Sequence, residues 1–306
     1  MSLFRKSRIL VLALVVLLAF GALVGCSKGE ETNNDVQDEN NSQEENNNDN
    51  SNDSATGTVE IAGSTSVQPV AEAIAEAFMD KNSGVKVNIQ GIGSSAGVKA
   101  AHNKTADIGT ASRNLKTEEE GWGLTKHIIA YDGIAVVVHP SNGAIEDLTK
   151  EQVSKIFEGE ITNWSEVGGN DAEIIVVSRE AGSGTRGAFE EIMELEKEVD
   201  GKKVSAVTRD AIIAEGNGTV RQNVAQKENA IGYLSLAYLN DTVKPVEIDG
   251  TAPTVENILA DKYPVSRPFL MLTNGDVTPE VQAYLDFVFS EEGQAKVAEE
   301  GAIPVK

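Results

Sequence analysis

Three clusters of glycine and hydroxyl residues are the part of this sequence most suited to binding chemistry. They are Gly63–Ser66, Gly91–Gly97 and Gly182–Thr185, and each lies between a predicted strand and a predicted helix. The first backbone N–H groups of a helix have no partner and the helix dipole is positive there, so an anion is stabilised. Glycine lets the backbone approach a ligand closely, and hydroxyls add donors. One cluster alone could be an ordinary helix cap, but three of them predict an anion site.

Two arginines lie beside these clusters. Arg113 follows the predicted strand 106–111, and Arg179 follows the predicted strand 174–178. A guanidinium presents a planar fork that fits a tetrahedral oxyanion. The alternative for either residue is an ion pair on the surface of a chain rich in carboxylates. Arg179 is the stronger candidate because it precedes the Gly182–Thr185 cluster directly.

A dinucleotide site and a metal site are both disfavoured. Gly182–Gly187 satisfies the G-x-G-x-x-G pattern. That pattern needs an acidic residue about 20 positions later at the end of a second strand, whereas Asp210 lies in a polar stretch. His102 and His127 are isolated, and the chain has one cysteine, so the spacing of metal ligands is missing. We therefore expect no cofactor and no metal.

A serine esterase is a remote alternative. Gly93–Gly97 satisfies G-x-S-x-G with Ser95 as the nucleophile, and Asp132 and His139 follow in the order of an α/β-hydrolase triad. However, only a short helix fits between this motif and the next strand. His139 precedes a proline and is typical of a strand end rather than of a loop that carries a catalytic base.

The elements that position these residues indicate an α/β protein. Short apolar runs alternate with helical patterns, and several runs suit a parallel sheet that is buried on both faces. The predicted strands are residues 58–62, 85–90, 106–111, 134–139, 174–178 and 231–235. The predicted helices cover 67–78 with Ser66 as the cap, a segment that begins with a capping box of Thr149 and Gln152, and 281–289.

The composition and charge of the chain exclude several classes of function. The chain has 306 residues, 40% of them hydrophobic, which is enough for a sizeable core. Its formal charge of −22 argues against nucleic acid or anionic lipid as the main ligand. A single cysteine excludes a disulfide framework. Any bound anion must therefore be held by local groups.

The N-terminus is predicted to be a targeting segment. Basic residues precede an uncharged run of 17 residues, 9–25, which is short for a membrane-spanning helix. The run ends in Leu23–Cys26 and resembles the lipobox of bacterial lipoproteins, in which residues 1–25 are removed and the thiol of Cys26 carries fatty acyl chains such as palmitate. The alternative is an uncleaved signal anchor with an inert Cys26.

Residues 27–57 are predicted to form a disordered tether. They are rich in Asn, Asp, Glu and Ser, and nine acidic residues are opposed by one lysine. A flexible chain of this length spans about 30 Å. The tether would hold a folded domain away from a membrane surface.

Six ordered sequence blocks resemble those of one family, the substrate-binding proteins of high-affinity phosphate ABC transporters in their Gram-positive lipoprotein form. The resemblance runs from about Val59 to the C-terminus. The blocks are 61–67 (IAGSTSV), 93–97 (GSSAG), 107–113 (DIGTASR), 156–169, 179–186 and 230–233 (AIGY).

The resemblance implies a type II periplasmic-binding-protein fold, with two lobes that each contain a mainly parallel sheet flanked by helices. One lobe would comprise 58–133 and 235–306 and the other 134–234, with crossings near 131–134 and 233–236. Phosphate would bind between the lobes and close the hinge. The implied ligand residues are Thr65, Ser66, Ser94, Arg179, Ser183, Gly184 and Thr185.

The family also implies a place and partners. We expect a monomer without enzymatic activity on the outer face of the cell membrane, held there only by lipid, which delivers phosphate to the permease and ATPase subunits of an importer. Binding of another tetrahedral oxyanion such as sulfate, arsenate or molybdate is an alternative, as is a role as a phosphate sensor.

One position departs from the family pattern. Family members studied as periplasmic proteins typically have an aspartate where this chain has Arg113, and that aspartate accepts the proton of monohydrogen phosphate and repels sulfate. Arg113 is a donor instead. Asp132 is our candidate for the acceptor, with Asp107 as the alternative.

Overall fold

The computed structural model describes residues 55–305. The predicted signal peptide, Cys26 and nearly all of the predicted tether lie outside these residues. The α-helices are α1 Gln68–Lys81, α2 Ser94–His102, α3 Thr117–Glu120, α4 Lys150–Glu158, α5 Gly184–Ile192, α6 Asn217–Gln226, α7 Val255–Leu259, α8 Pro279–Val288 and α9 Glu291–Glu299. Short 3-10 helices cover Trp164–Val167 and Leu236–Tyr238.

The strands alternate with these helices along most of the chain. They are β1 Gly57–Gly63, β2 Val85–Gly91, β3 Ile108–Ala111, β4 Thr125–Val138, β5 Asp147–Leu148, β6 Ile175–Arg179, β7 Glu196–Val199, β8 Lys202–Ser205, β9 Ile212–Ala214, β10 Ala230–Ser235, β11 Lys244–Pro245, β12 Glu247–Ile248, β13 Ser266–Thr273 and β14 Ile303–Pro304.

The main sheet has the strand order β2-β1-β3-β13-β4-β10-β6-β9. The strands at each end pair in parallel, β2 with β1 and β1 with β3 at one end, and β10 with β6 and β6 with β9 at the other. The middle is antiparallel, because β4 pairs antiparallel with both β13 and β10. The predicted α/β class is confirmed.

Strand β4 passes through two hydrophobic cores. Ile129 and Ala130 pack with α1, α8 and β1, whereas Ile134 packs with α4, α5 and β10. The pairing partner changes at the same point, since Gly133 is the last residue paired with β13 and Ile134 is the first paired with β10. The chain therefore passes from one core to the other between positions 133 and 134.

The chain leaves the second core later than the predicted crossing near 233–236. That segment lies at the end of β10 and in the following 3-10 helix. Beyond it, Val246, Ile248, Tyr263 and Val265 still pack in the core of Ile134. The return to the first core comes at β13, whose Phe269 and Met271 pack with Ile129.

The predicted secondary structure agrees with the structure in most places. All six predicted strands are present, and the capping box of Thr149 and Gln152 begins α4. The prediction that Ser66 caps α1 was wrong, because Val67 is the N-cap residue and the Ser66 side chain makes no cap hydrogen bond. Ser66 instead directs its hydroxyl toward a neighbouring loop.

No helix within residues 55–305 is long and apolar enough to cross a membrane.

Candidate anion-binding site

The three predicted glycine and hydroxyl clusters meet in the structure. The Oγ atom of Ser66, which precedes α1, lies 2.9 Å from the Oγ1 atom of Thr185 in the first turn of α5. Both residues are buried. Nearby, the backbone N–H of Ser95 donates to the carbonyl oxygen of Gly182 over 3.1 Å. The loops after β1, β2 and β6 thus converge on one point.

Arg179 lies at the end of β6 and directs its guanidinium into this point. Its Nη2 donates to Oγ1 of Thr65 over 3.2 Å, and its Nη1 lies 3.4 Å from Oγ1 of Thr185. The carboxylate of Glu180 accepts from Nε and Nη2 over 2.9 and 2.8 Å. Arg179 is 1% exposed. Glu180 therefore fixes a buried guanidinium that faces hydroxyls from both clusters.

Helix α5 begins at the site. Ser183 is its N-cap residue, and its hydroxyl accepts from the backbone N–H of Arg186 over 3.1 Å. Gly184 is the first helical residue and packs against Ser94 so closely that an added Cβ would lie 2.1 Å from the Ser94 hydroxyl oxygen. Since Ser94 itself begins α2, two helix N-termini face each other here.

A chain of serines positions the Ser94 hydroxyl. Ser64 donates to the hydroxyl of Ser112 over 2.9 Å. The backbone N–H of Ser112 donates to Oγ of Ser94 over 3.1 Å, and the two hydroxyl oxygens are 3.4 Å apart. Ser112 accepts from Ser64, so its own hydrogen is free to point toward Ser94.

Asn217 is a site residue that sequence reasoning missed. It begins α6 and is fully buried. Its Nδ2 donates to Oγ of Ser66 over 2.9 Å and to Oγ1 of Thr65 over 3.3 Å, while its Oδ1 accepts from the backbone N–H of Ser235. The signal that could have found it is the pair Gly216-Asn217 between β9 and a helix, which is a short version of the other clusters.

Arg267 was also missed and lies on β13. Its Nη2 donates to Oγ of Ser66 over 3.0 Å, and Nε and Nη2 donate to Oδ2 of Asp132 over 3.0 and 2.8 Å. The other oxygen of Asp132 accepts from the hydroxyl of Ser235 over 2.8 Å. Burial raises the pKa of Asp132, and the charge of Arg267 opposes that shift. Asp132 is thus connected through Arg267 to Ser66 and so to the hydroxyl cluster, by which we mean Thr65, Ser66 and Thr185.

Arg113 is buried but is not brought into the hydroxyl cluster. Its two Nη atoms bind the carboxylate of Glu119 over 2.7 and 2.9 Å, and Nη2 also donates to the hydroxyl of Ser95. Burial alone would raise the pKa of Glu119, but hydrogen bonds from Arg113 and from the Lys116 backbone outweigh burial and lower it. Asp107, the alternative acceptor, accepts a hydrogen bond from the backbone N–H of Glu60 and so lies away from the cluster.

The hydrogen-bond directions make the hydroxyls of the cluster donors toward a ligand. Ser66 Oγ accepts from Asn217 and Arg267, so both of its lone pairs are used and its hydrogen is donated to Thr185. Thr65 Oγ1 accepts from Asn217 and Arg179 in the same way. The hydrogens of Thr65 and Thr185 remain for a ligand that can accept, which is the property of an oxyanion.

The described residues do not form the geometry that an esterase or a metal site would need. Ser95 binds Arg113, Asp132 binds Arg267, and Nδ1 of His139 lies 2.7 Å from the hydroxyl of Ser141. The three residues of the possible esterase triad therefore have three separate sets of partners. Within residues 55–305 no group of His, Cys, Asp and Glu side chains could hold a metal ion.

Comparisons with known proteins agree with this geometry. A model of the PBP superfamily domain matches residues 48–292. The phosphate-binding protein PstS of Bacillus subtilis is 33% identical over 257 residues, which cover 83% of this chain and 82% of that protein. The phosphate-binding protein PstS of Borreliella burgdorferi is 31% identical over 81% of this chain and 90% of its own length.

Solved structures give the same result. A putative phosphate ABC transporter substrate-binding protein from Clostridium perfringens, solved with bound phosphate, is 49% identical with a TM-score of 0.77 and is matched over 82% of this chain and 100% of that chain. An ABC-type phosphate transport receptor from Vibrio cholerae is 35% identical with a TM-score of 0.69, over 81% of this chain and 100% of that chain. Both the predicted fold class and the predicted family are confirmed, and the chain belongs to the PBP superfamily and, within it, to the PstS phosphate-binding proteins.

Proposed function

We propose that this protein binds inorganic phosphate outside the cytoplasm and delivers it to an ABC importer. The observation that carries the proposal is the convergence of Arg179 with the hydroxyls of Thr65, Ser66 and Thr185 at the N-terminus of α5. Arg179, Thr65 and Thr185 offer hydrogens to an acceptor in a protein whose net charge is −22, and Ser66 holds Thr185 in place. The relatives are named for phosphate binding and phosphate transport, which supports the same reading.

The ligand residues of the proposal are those predicted from the sequence. Arg179 supplies the charge, and the backbone N–H groups at the start of α5 add donors aligned with the helix dipole. The list comprises Thr65, Ser66, Ser94, Arg179, Ser183, Gly184 and Thr185. Arg113 and Asp132 would act indirectly. Arg113 donates to the Ser95 hydroxyl, and Asp132 accepts from Arg267.

Phosphate binding and interlobe closure are proposed to be one event. The predicted second lobe is 134–234, and the packing of Val246, Tyr263 and Val265 favours its extension to about residue 265. Ser66 precedes a helix of the first core, whereas Thr185 belongs to a helix of the second. An anion held by both would therefore bring the two cores together.

The anchor proposed for this protein is a lipid on Cys26, with residues 27–57 as the tether. The lipobox-like segment Leu23–Cys26 supports it. Two acyl chains hold a protein on a membrane where one is marginal. Mass spectrometry of the membrane fraction tests this, because a diacylated N-terminal cysteine is expected and an intact residue 1–25 segment would contradict it.

Calorimetric titration tests the proposed function. The protein is unfolded, dialysed and refolded to remove bound anion, and is then titrated with phosphate at neutral pH. Saturable one-to-one binding without release of product is expected. Binding of sulfate or molybdate in preference to phosphate would favour another oxyanion, and hydrolysis of a chromogenic ester would favour the esterase.

A further inference from the structure

We propose that Arg267 is a second anion-binding arginine of this site and that Asp132 is the residue that positions it. The inference rests on the proposed function and adds a ligand group that the sequence motifs do not contain. It follows from the geometry of one guanidinium, from one donor that lacks a partner and from the charges that surround both.

A guanidinium is planar and carries its five N–H bonds in fixed directions. In Arg267, the edge formed by Nε and Nη2 is bound to Oδ2 of Asp132. The second N–H of Nη2 lies on the end of the group and donates to Oγ of Ser66 over 3.0 Å. Nη1 has an N–H bond on the same end, parallel to the one that reaches Ser66. That bond is therefore directed toward the space beside the Ser66 hydroxyl.

The Nη1 atom of Arg267 has no hydrogen-bond partner. Among the described residues only two buried side-chain nitrogen or oxygen atoms lack a hydrogen-bond partner, and the other is Nδ2 of Asn142. Arg267 is 3% exposed, so water does not serve this atom freely. A buried donor without a partner costs about 1–3 kcal/mol, and more when the group is charged. An oxyanion beside Ser66 would remove that cost.

The charges around Arg267 also favour an anion. Burial lowers the pKa of Arg267, and the nearby positive charge of Arg179 acts in the same direction, against the charge of Asp132. Two buried guanidinium groups thus reach neighbouring hydroxyls, since Arg179 reaches Thr65 and Thr185 while Arg267 reaches Ser66. An anion between them turns this repulsion into attraction for both.

Asp132 is a positioning residue in this arrangement. Its Oδ2 takes two hydrogen bonds from Arg267, and its Oδ1 takes one from Ser235. Oδ2 is occupied by Arg267 and Oδ1 by Ser235, so neither oxygen binds Thr65, Ser66 or Thr185. Asp132 thus fixes the plane of the guanidinium so that its open end faces the ligand, in the way that Glu180 fixes Arg179.

The test uses calorimetric titration of phosphate into the refolded protein and two variants. Arg267→Lys keeps a positive charge beside Asp132 but lacks the planar fork that faces Asp132 with one edge and Ser66 and an anion with its end. The double variant Asp132→Asn with Arg267→Gln removes both charges as a pair, so no buried charge is left alone. We expect each to bind phosphate at least tenfold more weakly than the wild type.

Gln294→Leu is the matched control. Gln294 is 4% exposed, lies outside the hydroxyl cluster and donates to the carbonyl oxygens of Ile129 and Val288. This variant loses buried hydrogen bonds in the first core and leaves the residues of the site unchanged. Its phosphate affinity is expected to stay within twofold of wild type. Thermal unfolding without phosphate, followed by circular dichroism, identifies any variant that is not folded.

The outcomes separate the two proposals. If the wild type binds phosphate and both folded Arg267 variants bind it equally well, the inference is overturned and the proposed function stands. If the wild type does not bind phosphate, both are overturned. A tenfold loss in the two Arg267 variants and none in Gln294→Leu supports the inference.

Discussion

The hydroxyl oxygens of Ser66 and Thr185 lie 2.9 Å apart although 119 positions separate the two residues in the chain. Each hydroxyl is attached to a different core, because Val67 packs in the first and Ala188 of α5 packs in the second. The contact therefore joins the two cores directly at the proposed binding site. Substitutions there should affect binding far more than folding.

Thr185→Val is expected to weaken phosphate binding about tenfold. Valine keeps the shape of threonine, but it removes the hydrogen that Thr185 has left for a ligand and the acceptor for Ser66. Titration calorimetry measures the change. Thr273→Val is the control, since Thr273 is equally buried but its hydroxyl contacts His127. Equal affinities for the two variants would contradict a direct role for Thr185.

Gly184→Ala is expected to weaken phosphate binding at least tenfold and to leave thermal stability without phosphate unchanged. The added Cβ would lie 2.1 Å from Oγ of Ser94, which prevents α5 from approaching α2. Gly182→Ala is a closely matched control two residues earlier in the same loop, where an added Cβ meets nothing within 4 Å. If both variants retain wild-type affinity, close approach of α5 and α2 is not needed for binding.

Asp132→Asn tests the prediction that Asp132 accepts the proton of monohydrogen phosphate. Because Arg267 and Ser235 already occupy its oxygens, we expect the substitution to weaken phosphate and sulfate binding by the same factor. Parallel titrations with the two anions measure the ratio. A selective gain in sulfate affinity would show instead that Asp132 accepts a hydrogen bond from the proton of phosphate, as predicted from the sequence.

Glu119→Gln is expected to reduce the dependence of stability on pH. The folded pKa of Glu119 is lowered, so its stabilising contribution is complete above the ordinary value of 4.5 and is lost as the pH falls through the lowered pKa. Removal of this partner from the buried Arg113 should cost about 3 kcal/mol at neutral pH. Urea unfolding from pH 6 down to pH 3, which spans the ordinary pKa of 4.5 and the range below it, should show a shallower decline for Glu119→Gln than for wild type. The exposed Glu120→Gln serves as the control, and a slope unchanged by Glu119→Gln would refute this account.

The parts of the site that could be predicted from the sequence are those formed by residues close together in the chain. A glycine and hydroxyl cluster between a strand and a helix is visible in the chain, and Arg179 is adjacent to one. Arg267 was not visible for two reasons. It precedes Pro268, which argues against a central strand because proline cannot donate to the ladder, yet β13 lies between β3 and β4. Its contacts with Asp132 and Ser66 also span 135 and 201 positions.

The same limit explains Arg113. Its spacing after β3 is that of a ligand residue, and the sequence could not show that Glu119, six positions later, would bind both of its Nη atoms. The partner is close in the chain, but only the short α3 turns its carboxylate toward Arg113. A charge near a site therefore predicts a ligand only when its own counterion is known.

Strand β4 has a mechanical consequence. It is 14 residues long, carries both cores, and changes its neighbour from β13 to β10 between Gly133 and Ile134 without a break in the strand. A rotation of one core relative to the other must be taken up as added twist in a hydrogen-bonded ribbon, since no loop is available there. If phosphate binding moves one core against the other as proposed, the pairs that β4 makes on either side of position 133 would have to twist relative to one another.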